Sequence, residues 1–226
     1  MQQHDQPPDL DWRDETIPVS RRFDDPYFSL GGGLAETQHV FLAGNGLPGR
    51  FRDGFHIAEL GFGTGLNLLA TLVAHTGAGH LRYTSFEAYP MLAPDMAHAL
   101  SAFPELGEIA QSMLEQWGNG ARILQFSNVT ANVIVGDARD MLPAWGERAD
   151  AWFLDGFSPA KNPELWSPEL MSEVARHTAK DGTFATYTAA GHVRRALAEA
   201  GFVVTRQPGY GRKRHMTTGR MSAGGC

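Results

Sequence analysis

Four acidic residues each stand at or next to the end of an apolar run that has the length of a β-strand. They are Glu59, Glu87, Asp137 and Asp155. Parallel strands bring their carboxyl ends to one edge of a sheet, and ligands of such sheets bind at that edge. Carboxylates there accept hydrogen bonds from hydroxyl and amino groups and favour a cationic ligand. The sequence therefore predicts an acidic crevice at the edge of a parallel sheet.

A glycine-rich turn, Gly61-Phe62-Gly63-Thr64-Gly65, follows the first of these strands and precedes an apolar stretch of helical length. Such a turn lets a ligand approach the backbone, and the helix that follows it offers free N–H donors. The sixth position of the dinucleotide fingerprint is Leu66 instead of glycine. The four acids would repel an anionic pyrophosphate and attract a sulfonium. We expect an S-adenosylmethionine site, with an NAD-dependent oxidoreductase of Rossmann type as the alternative.

The composition of the 226 residues limits the classes of protein to consider. Hydrophobic residues make up 42%, charged residues 19%, and no apolar run approaches the roughly 20 residues that span a bilayer. The polar stretch Met1–Leu10 is unlike a secretory signal, so we expect a cytoplasmic protein. The lone cysteine, Cys226, and the scattered histidines predict no metal site. With a net charge of −6, any nucleic-acid contact must be a local basic patch.

Runs of strand length alternate with runs of helical length along the chain. The predicted strands are 55–60, 81–86, 123–126, 129–135, 151–154, 183–187, 202–206 and 216–221, and the predicted helices are 66–74, 92–103, 109–117, 168–177 and 192–200, with a short one near Met141. This alternation is typical of a doubly wound, Rossmann-like α/β fold. We expect one domain over residues 51–226, with residues 1–50 as a polar, turn-rich extension packed on its core.

The loop Asp155–Pro163 follows the fourth major strand and is too rich in glycine and proline to continue either neighbouring element. Its place at the sheet edge favours an active-site loop. The carboxylate of Asp155 can accept a hydrogen bond from a substrate amine and orient the lone pair of its nitrogen. Phe157 or Trp166 can stack on a nucleobase. Packing in the core is the alternative for both aromatic residues.

Several motifs together resemble the methyltransferase module of the bacterial MnmC family. They are Ala58–Asn67, Ser85–Glu87, Asp150–Pro163 and Gly209–Arg214, joined by Pro18–Arg21, Phe23–Asp25, Tyr27–Ser29 and Val40–Leu42. The resemblance implies a class I S-adenosylmethionine-dependent methyltransferase fold. It also implies the final step in making 5-methylaminomethyl-2-thiouridine at the tRNA wobble position, which is methyl transfer to the amine of 5-aminomethyl-2-thiouridine.

The resemblance also implies roles for individual residues. Asp155 lies beside the target amine, with Phe157 next to it. The cofactor-binding set is Glu59, Gly61, Gly63, Thr64, Gly65, Asn67, Glu87 and Asp137, and the RNA-binding set is Arg194, Arg195, Arg212, Lys213 and Arg214. Arg139, close to Asp137, departs from the pattern by adding a positive charge near the adenine end.

A second departure concerns the partners of the module. In two-domain members of the family a flavin-dependent oxidase follows the methyltransferase and exposes the amine, whereas this sequence ends at Cys226. We therefore expect a standalone form that acts on tRNA and receives the amine from upstream wobble-uridine enzymes or from a separate FAD oxidase.

Overall fold

The computed structural model describes residues 7–29 and 32–222. Cys226 and most of Met1–Leu10, on which the expectations about cysteine chemistry and secretion depend, lie outside these residues. Within the described ranges, none of the helices is long and apolar enough to cross a membrane. The same residues contain no cluster of three or more His, Cys, Asp or Glu side chains that could hold a metal ion.

The strands form two sheets. In chain order they are β1 (Leu10–Arg13), β2 (Ile17–Ser20), β3 (Asp25–Pro26), β4 (His56–Leu60), β5 (Leu81–Glu87), β6 (Ile123–Gln125), β7 (Val129–Val135), β8 (Ala149–Leu154), β9 (Thr178–Thr186), β10 (Phe202–Pro208) and β11 (His215–Met221). Strands β1 to β3 form a small antiparallel sheet. The other strands form an eight-stranded sheet in the order β10-β11-β9-β8-β4-β5-β7-β6.

The large sheet is parallel in its centre and antiparallel at both sides. Strands β9, β8, β4, β5 and β7 run parallel, while β11 and β6 run antiparallel to their neighbours. The chain passes from β4 to β5 on one side and later returns to β8 on the other. This reversal of strand order opens a crevice at the carboxyl ends of β4 and β8.

Helices cover both faces of the large sheet. They are α1 (Gly33–Thr37), α2 (Leu66–Ala74), α3 (Ala93–Leu100), α4 (Gly107–Gly118), α5 (Ala138–Met141), α6 (Pro168–Arg176) and α7 (Gly191–Glu199). Successive strand residues face opposite sides. In β8, Phe153 packs with the helices that precede β6, whereas Trp152 and Leu154 pack with α6 and α7. The core is therefore split by the sheet into two layers, and the α/β fold class is confirmed.

Most element positions agree with the sequence predictions, and α2 and β7 agree at both ends. The largest difference is β9, which begins at Thr178 and not at 183. Its first half carries the polar residues Lys180 and Asp181 and a glycine, so it lacks the apolar pattern of a strand. Its pairing with β8 also shifts register between Ala149 and Ala151. Local composition could not reveal a strand that its neighbours in the sheet define.

The described part of the first fifty residues contains turns, as expected, but it also contains strands and helices that the sequence pattern did not predict. After the small sheet, α1 continues as a wide π-helical turn (Gln38–Leu42) and a tight 3₁₀ turn (Ala43–Asn45). Val40, Phe41 and Leu42 are buried in the core against the large sheet. Such changes of helical type give no regular 3.6-residue period, which is why pattern alone did not find this segment.

Candidate active site

A cavity of about 450 Å³ opens at the carboxyl ends of β4, β5, β7 and β8. Its volume lies in the range of small-molecule sites. One part of its wall comes from the glycine turn after β4 and from the ends of β5 and β7. Another part comes from the loop after β8, the segment around β3, α1 and the loop between β10 and β11. The cavity therefore lies where the strand order reverses.

The glycine turn approaches two other chain segments so closely that side chains would not fit. Gly61 has a φ of +83° and a Cβ there would lie 3.3 Å from the Cα of Gly156. Gly63 has a φ of +53° and a Cβ there would lie 3.1 Å from the ring of Tyr27. Both glycines line the cavity together with Thr64, whereas Gly65 stands behind them at the start of α2. The turn thus presents backbone to a ligand.

Glu87 ends β5 with its carboxylate held by two backbone donors. The N–H of Gly63 donates to Oε2 at 2.8 Å and the N–H of Tyr89 donates to Oε1 at 2.7 Å. Glu87 lines the cavity and is only 7% exposed, and this burial raises the pKa of its carboxyl. Each oxygen keeps a further lone pair, so the carboxylate can accept hydrogen bonds from ligand hydroxyls.

Asp137 caps the short helix α5 and lines the same wall. One of its oxygens accepts the backbone N–H of Arg139 at 2.9 Å, and the guanidinium of Arg139 forms an ion pair with the carboxylate at 2.6 Å. The expected contact with an adenine amine therefore has a competitor in place. Arg139 also lines the cavity, so its side chain would have to share Asp137 with the ligand.

Asp155 follows β8 and lines the cavity next to the glycine turn. Its Oδ1 accepts the backbone N–H of Gly156 at 2.8 Å, and its Oδ2 accepts the Asn67 amide at 2.8 Å. Burial raises the pKa of Asp155 to about 6, against the opposing effect of these hydrogen bonds and of nearby Lys213. The carboxylate is therefore fixed in orientation and titrates close to neutral pH.

Glu59 does not line the cavity, although it was expected to face it. It is 0% exposed, beneath the glycine turn. The Asn67 amide donates to Glu59 Oε1 at 2.7 Å as well as to Asp155, and the hydroxyl of Thr37 donates to the side-chain Oδ1 of Asn67 at 3.0 Å. Burial raises the pKa of Glu59 well above its ordinary value. The amide of Asn67 is thus occupied by protein groups and orients Asp155.

Phe157 lines the cavity, but its ring already packs against two other aromatic side chains. It stacks on Phe23 at 4.6 Å between centroids and meets the edge of Tyr27 at 5.0 Å. Trp166 is 1% exposed and its indole N–H donates to the Phe157 carbonyl at 2.8 Å. Trp166 therefore belongs to the core and is not available to stack on a base.

Sequence reasoning missed that the N-terminal extension forms part of the wall. Asp25 accepts the backbone N–H of Ser158 at 2.7 Å, and Asp24 pairs with Lys161. These contacts join the strand β3 region to the loop after β8. The only signal in the sequence was the concentration of charged and aromatic residues over Arg21–Ser29, which had no explanation in the secondary-structure pattern.

The basic residues expected to contact RNA lie in different environments. Arg212 and Arg214 are exposed in the loop between β10 and β11. Lys213 instead turns into the cavity and pairs with Glu36 at 2.8 Å. Arg195 is exposed and Arg194 half-buried on α7, and neither lines the cavity. The predicted RNA-binding set therefore separates into three exposed arginines, the half-buried Arg194 and one lysine that pairs with a residue of the cavity.

A family model described as S-adenosyl-L-methionine-dependent methyltransferase matches residues 104–222. The chain belongs to this methyltransferase family. The match does not favour the NAD-dependent oxidoreductase, since the cofactor of the family is S-adenosylmethionine. The cavity of this methyltransferase fits that cofactor, because the buried Glu87 carboxylate accepts a hydrogen bond from the glycine turn and a second carboxylate, Asp155, lines the same cavity.

Curated relatives are similar over nearly all of this chain. The tRNA 5-methylaminomethyl-2-thiouridine biosynthesis bifunctional protein MnmC of Stutzerimonas stutzeri is 44% identical over 95% of the chain, and that of Pseudomonas aeruginosa is 47% identical over 93%. The resemblance to the MnmC methyltransferase module is thereby confirmed. These matches cover 35% and 34% of the relatives, so the chain spans about a third of the length of the curated relatives it matches.

Solved structures agree with the fold. The crystal structure of MnmC2 from Aquifex aeolicus is 25% identical and superposes with a TM-score of 0.78, covering 99% of this chain and 73% of that one. The precorrin-6y C5,15-methyltransferase of Geobacter metallireducens is 13% identical with a TM-score of 0.54, covering 92% and 95% of the two chains. The second likeness concerns the fold alone.

Proposed function

We propose that this methyltransferase transfers a methyl group from S-adenosylmethionine to the amine of 5-aminomethyl-2-thiouridine at the tRNA wobble position. The observation that carries the proposal is the fixed carboxylate of Asp155 at the switch point of a sheet. It lines the cavity beside the glycine turn, since a Cβ at Gly61 would lie 3.6 Å from the backbone carbonyl carbon of Asp155, so a target amine held there can meet a cofactor held by that turn. The similarity to MnmC proteins, which are named for this modification, supports the choice of amine and RNA.

The cofactor would be held by the wall nearest to β5. Glu87 would accept hydrogen bonds from the ribose hydroxyls. Asp137 would accept one from the adenine amine while it keeps part of its contact with Arg139. Gly61, Gly63 and Thr64 would bring backbone against the amino-acid part. When bound, S-adenosylmethionine supplies a methyl group on a positively charged sulfur. The carboxylates at both ends of the cavity favour that positive charge.

Asp155 would position the amine. An aliphatic ammonium has a pKa on the order of 10, and its nitrogen has no lone pair until the proton leaves. The ionised carboxylate of Asp155 accepts a hydrogen bond from the amine and directs its lone pair towards the cofactor. The Asn67 amide and the Gly156 N–H prevent the carboxylate from rotating. Orientation of this kind is a large component of catalysis.

The tRNA would meet a basic rim. Arg212 and Arg214 are exposed beside the cavity, and Arg194 and Arg195 lie on α7, which begins at the carboxyl edge of the sheet. Residues 1–50 would serve as an extension of a domain over 51–226, and they would complete the substrate wall. Another enzyme activity, such as upstream wobble-uridine enzymes or an FAD oxidase, must supply the aminomethyl group. A tRNA substrate also supports the cytoplasm as the compartment.

Transfer of labelled methyl from S-adenosylmethionine to total tRNA that carries 5-aminomethyl-2-thiouridine tests the proposal. We expect label in 5-methylaminomethyl-2-thiouridine after nucleoside analysis. The matched control is tRNA whose wobble uridine carries the 2-thio group alone. Label in both tRNAs, or in a different nucleoside, would assign this methyltransferase another substrate.

A further inference from the structure

A lysine side chain reaches the cavity from the surface at the proposed acceptor end. Lys213 comes from the loop between β10 and β11, and its Nζ forms an ion pair with Glu36 Oε1 at 2.8 Å. The same Nζ stands over the ring of Tyr187, 4.4 Å from its centroid. The three residues line the cavity and derive from three distant parts of the sequence. A primary ammonium is therefore bound here by a carboxylate and an aromatic face.

This arrangement has the chemistry of an ammonium-binding subsite. A carboxylate gives an ammonium a charge-assisted hydrogen bond, and an aromatic face adds a cation–π attraction. The Glu36 side chain is only 10% exposed, so it needs a cationic partner, whereas the Lys213 side chain is 43% exposed and enters from the surface. The carboxylate and the ring thus belong to the cavity, while the lysine reaches them from outside it.

The subsite adjoins the carboxylate that would orient the amine. The Tyr187 hydroxyl donates to the Gly156 carbonyl at 2.8 Å, which fixes the ring beside the loop that begins at Asp155. The charges of Lys213 and Glu36 both act on Asp155, the first lowering and the second raising the pKa of that carboxyl. An ammonium at the position of the Lys213 Nζ would therefore lie within the electrostatic reach of Asp155.

We propose that Glu36 and the face of Tyr187 bind the ammonium group of the amine substrate, and that Lys213 fills this subsite until RNA enters. The inference rests on the proposed function, because it takes the substrate to be a primary amine on a nucleotide. Phosphates drawn to the neighbouring Arg212 and Arg214 would attract Lys213 outwards. The substrate ammonium would then replace one cation by another and leave no buried carboxylate without a partner.

The test is a double-mutant cycle read by calorimetry. The parent, Lys213→Ala, Glu36→Gln and the double variant are titrated with 5-aminomethyluridine and with 5-hydroxymethyluridine, all saturated with S-adenosylhomocysteine. Lys213→Ala should bind the amine about tenfold more tightly, since no lysine competes, and should bind the alcohol as the parent does. Adding Glu36→Gln should weaken amine binding by about tenfold or more, the loss of one charge-assisted hydrogen bond. The matched control is Lys180→Ala, which removes an exposed lysine in the first half of β9.

Three outcomes overturn the subsite. In the first, the double variant matches Lys213→Ala, and Glu36 then serves only the lysine. In the second, the affinities for amine and alcohol change equally, and no ammonium is recognised. In the third, no variant binds the amine. Thermal unfolding and adenosylhomocysteine affinity of Glu36→Gln identify a folding defect, and Tyr187→Leu, which removes the ring, then replaces it in the cycle. If the parent shows no methyl transfer to tRNA while the variants show the expected amine affinities, the proposed function is refuted and the subsite stands.

Discussion

The two ends of the cavity are built in different ways. The proposed cofactor end consists of the glycine turn and Glu87, which follow β4 and β5 directly and use backbone donors to hold a carboxylate. The proposed acceptor end combines Asp155 with Glu36 from α1 and Lys213 from the last loop. One end depends on consecutive strands, and the other depends on segments that only the complete fold brings together.

This difference predicts how each end responds to change. Removal of a carboxylate at the cofactor end should affect cofactor affinity and little else. Changes at the acceptor end should affect turnover, amine recognition and the response to pH, since Lys213 and Glu36 both influence Asp155. A variant that altered both properties together would show that the two ends act as one unit.

The largest effect is expected for Glu87→Ala. Two charge-assisted hydrogen bonds to the ribose diol would be lost, each worth about 1.5–3 kcal/mol, so the Kd for S-adenosylhomocysteine should rise by a factor of about 10² or more. Glu87→Gln keeps the shape of the side chain and one acceptor oxygen, so its Kd for S-adenosylhomocysteine should fall between those of the parent and of Glu87→Ala. Titration calorimetry measures both variants.

A matched control removes a carboxylate elsewhere. Glu199 is exposed at the end of α7, and Glu199→Ala should leave the cofactor affinity unchanged. Unchanged affinity in Glu87→Ala itself would remove Glu87 from the cofactor site and leave the cofactor end without its main acceptor.

The sequence was sufficient for most of the fold and placed the glycine turn and Glu87 beside the cavity, but it misplaced Glu59, which is buried and does not line the cavity. Regular apolar periods located the central strands, and the acids at their ends identified the edge that carries the cavity. Glu36 could not be found in this way, because the segment after Gly33 passes through three helical types. Lys213 was read as one member of a basic run, since its inward direction depends on a partner from α1. Contacts between distant segments need the fold before they can be recognised.

At the acceptor end, Asp155→Asn should lower kcat by about 10² or more, the scale of a positioned polar group. The amide keeps the shape of the side chain but loses the negative charge and one acceptor oxygen. The Kd for S-adenosylhomocysteine should stay within a few-fold of the parent value. Asp140→Asn, at an exposed position on α5, is the control. Parental turnover in Asp155→Asn would rule out the orienting role.

The rim should contribute through phosphate contacts alone. Each neutralised phosphate adds about 0.9 to the slope of log affinity against log salt, so Arg212→Ala with Arg214→Ala should flatten that slope by about two. Lys213 is left out, because it is paired with Glu36 inside the cavity. The comparison pair is Arg148→Ala with Lys180→Ala, two exposed cations at the opposite edge of the sheet. An unchanged slope in the rim variant would move the RNA elsewhere, with Arg21 and Arg22 as the next candidates.

The smallest expected effect is a change of slope in the pH profile. Burial raises the pKa of Asp155 to about 6. The side chain is therefore ionised above about pH 6, and its negative charge is lost as the pH falls through that value. The substrate ammonium titrates higher, near 10, so log kcat/KM should rise with slope two below pH 6 and with slope one above it. Asp155→Asn should keep slope one throughout.

Glu36→Gln removes a negative neighbour of Asp155 and should move the break to lower pH, whereas Lys213→Ala removes a positive one and should move it to higher pH. A break that stays in place in both variants would show that the acceptor end does not control the charge of Asp155.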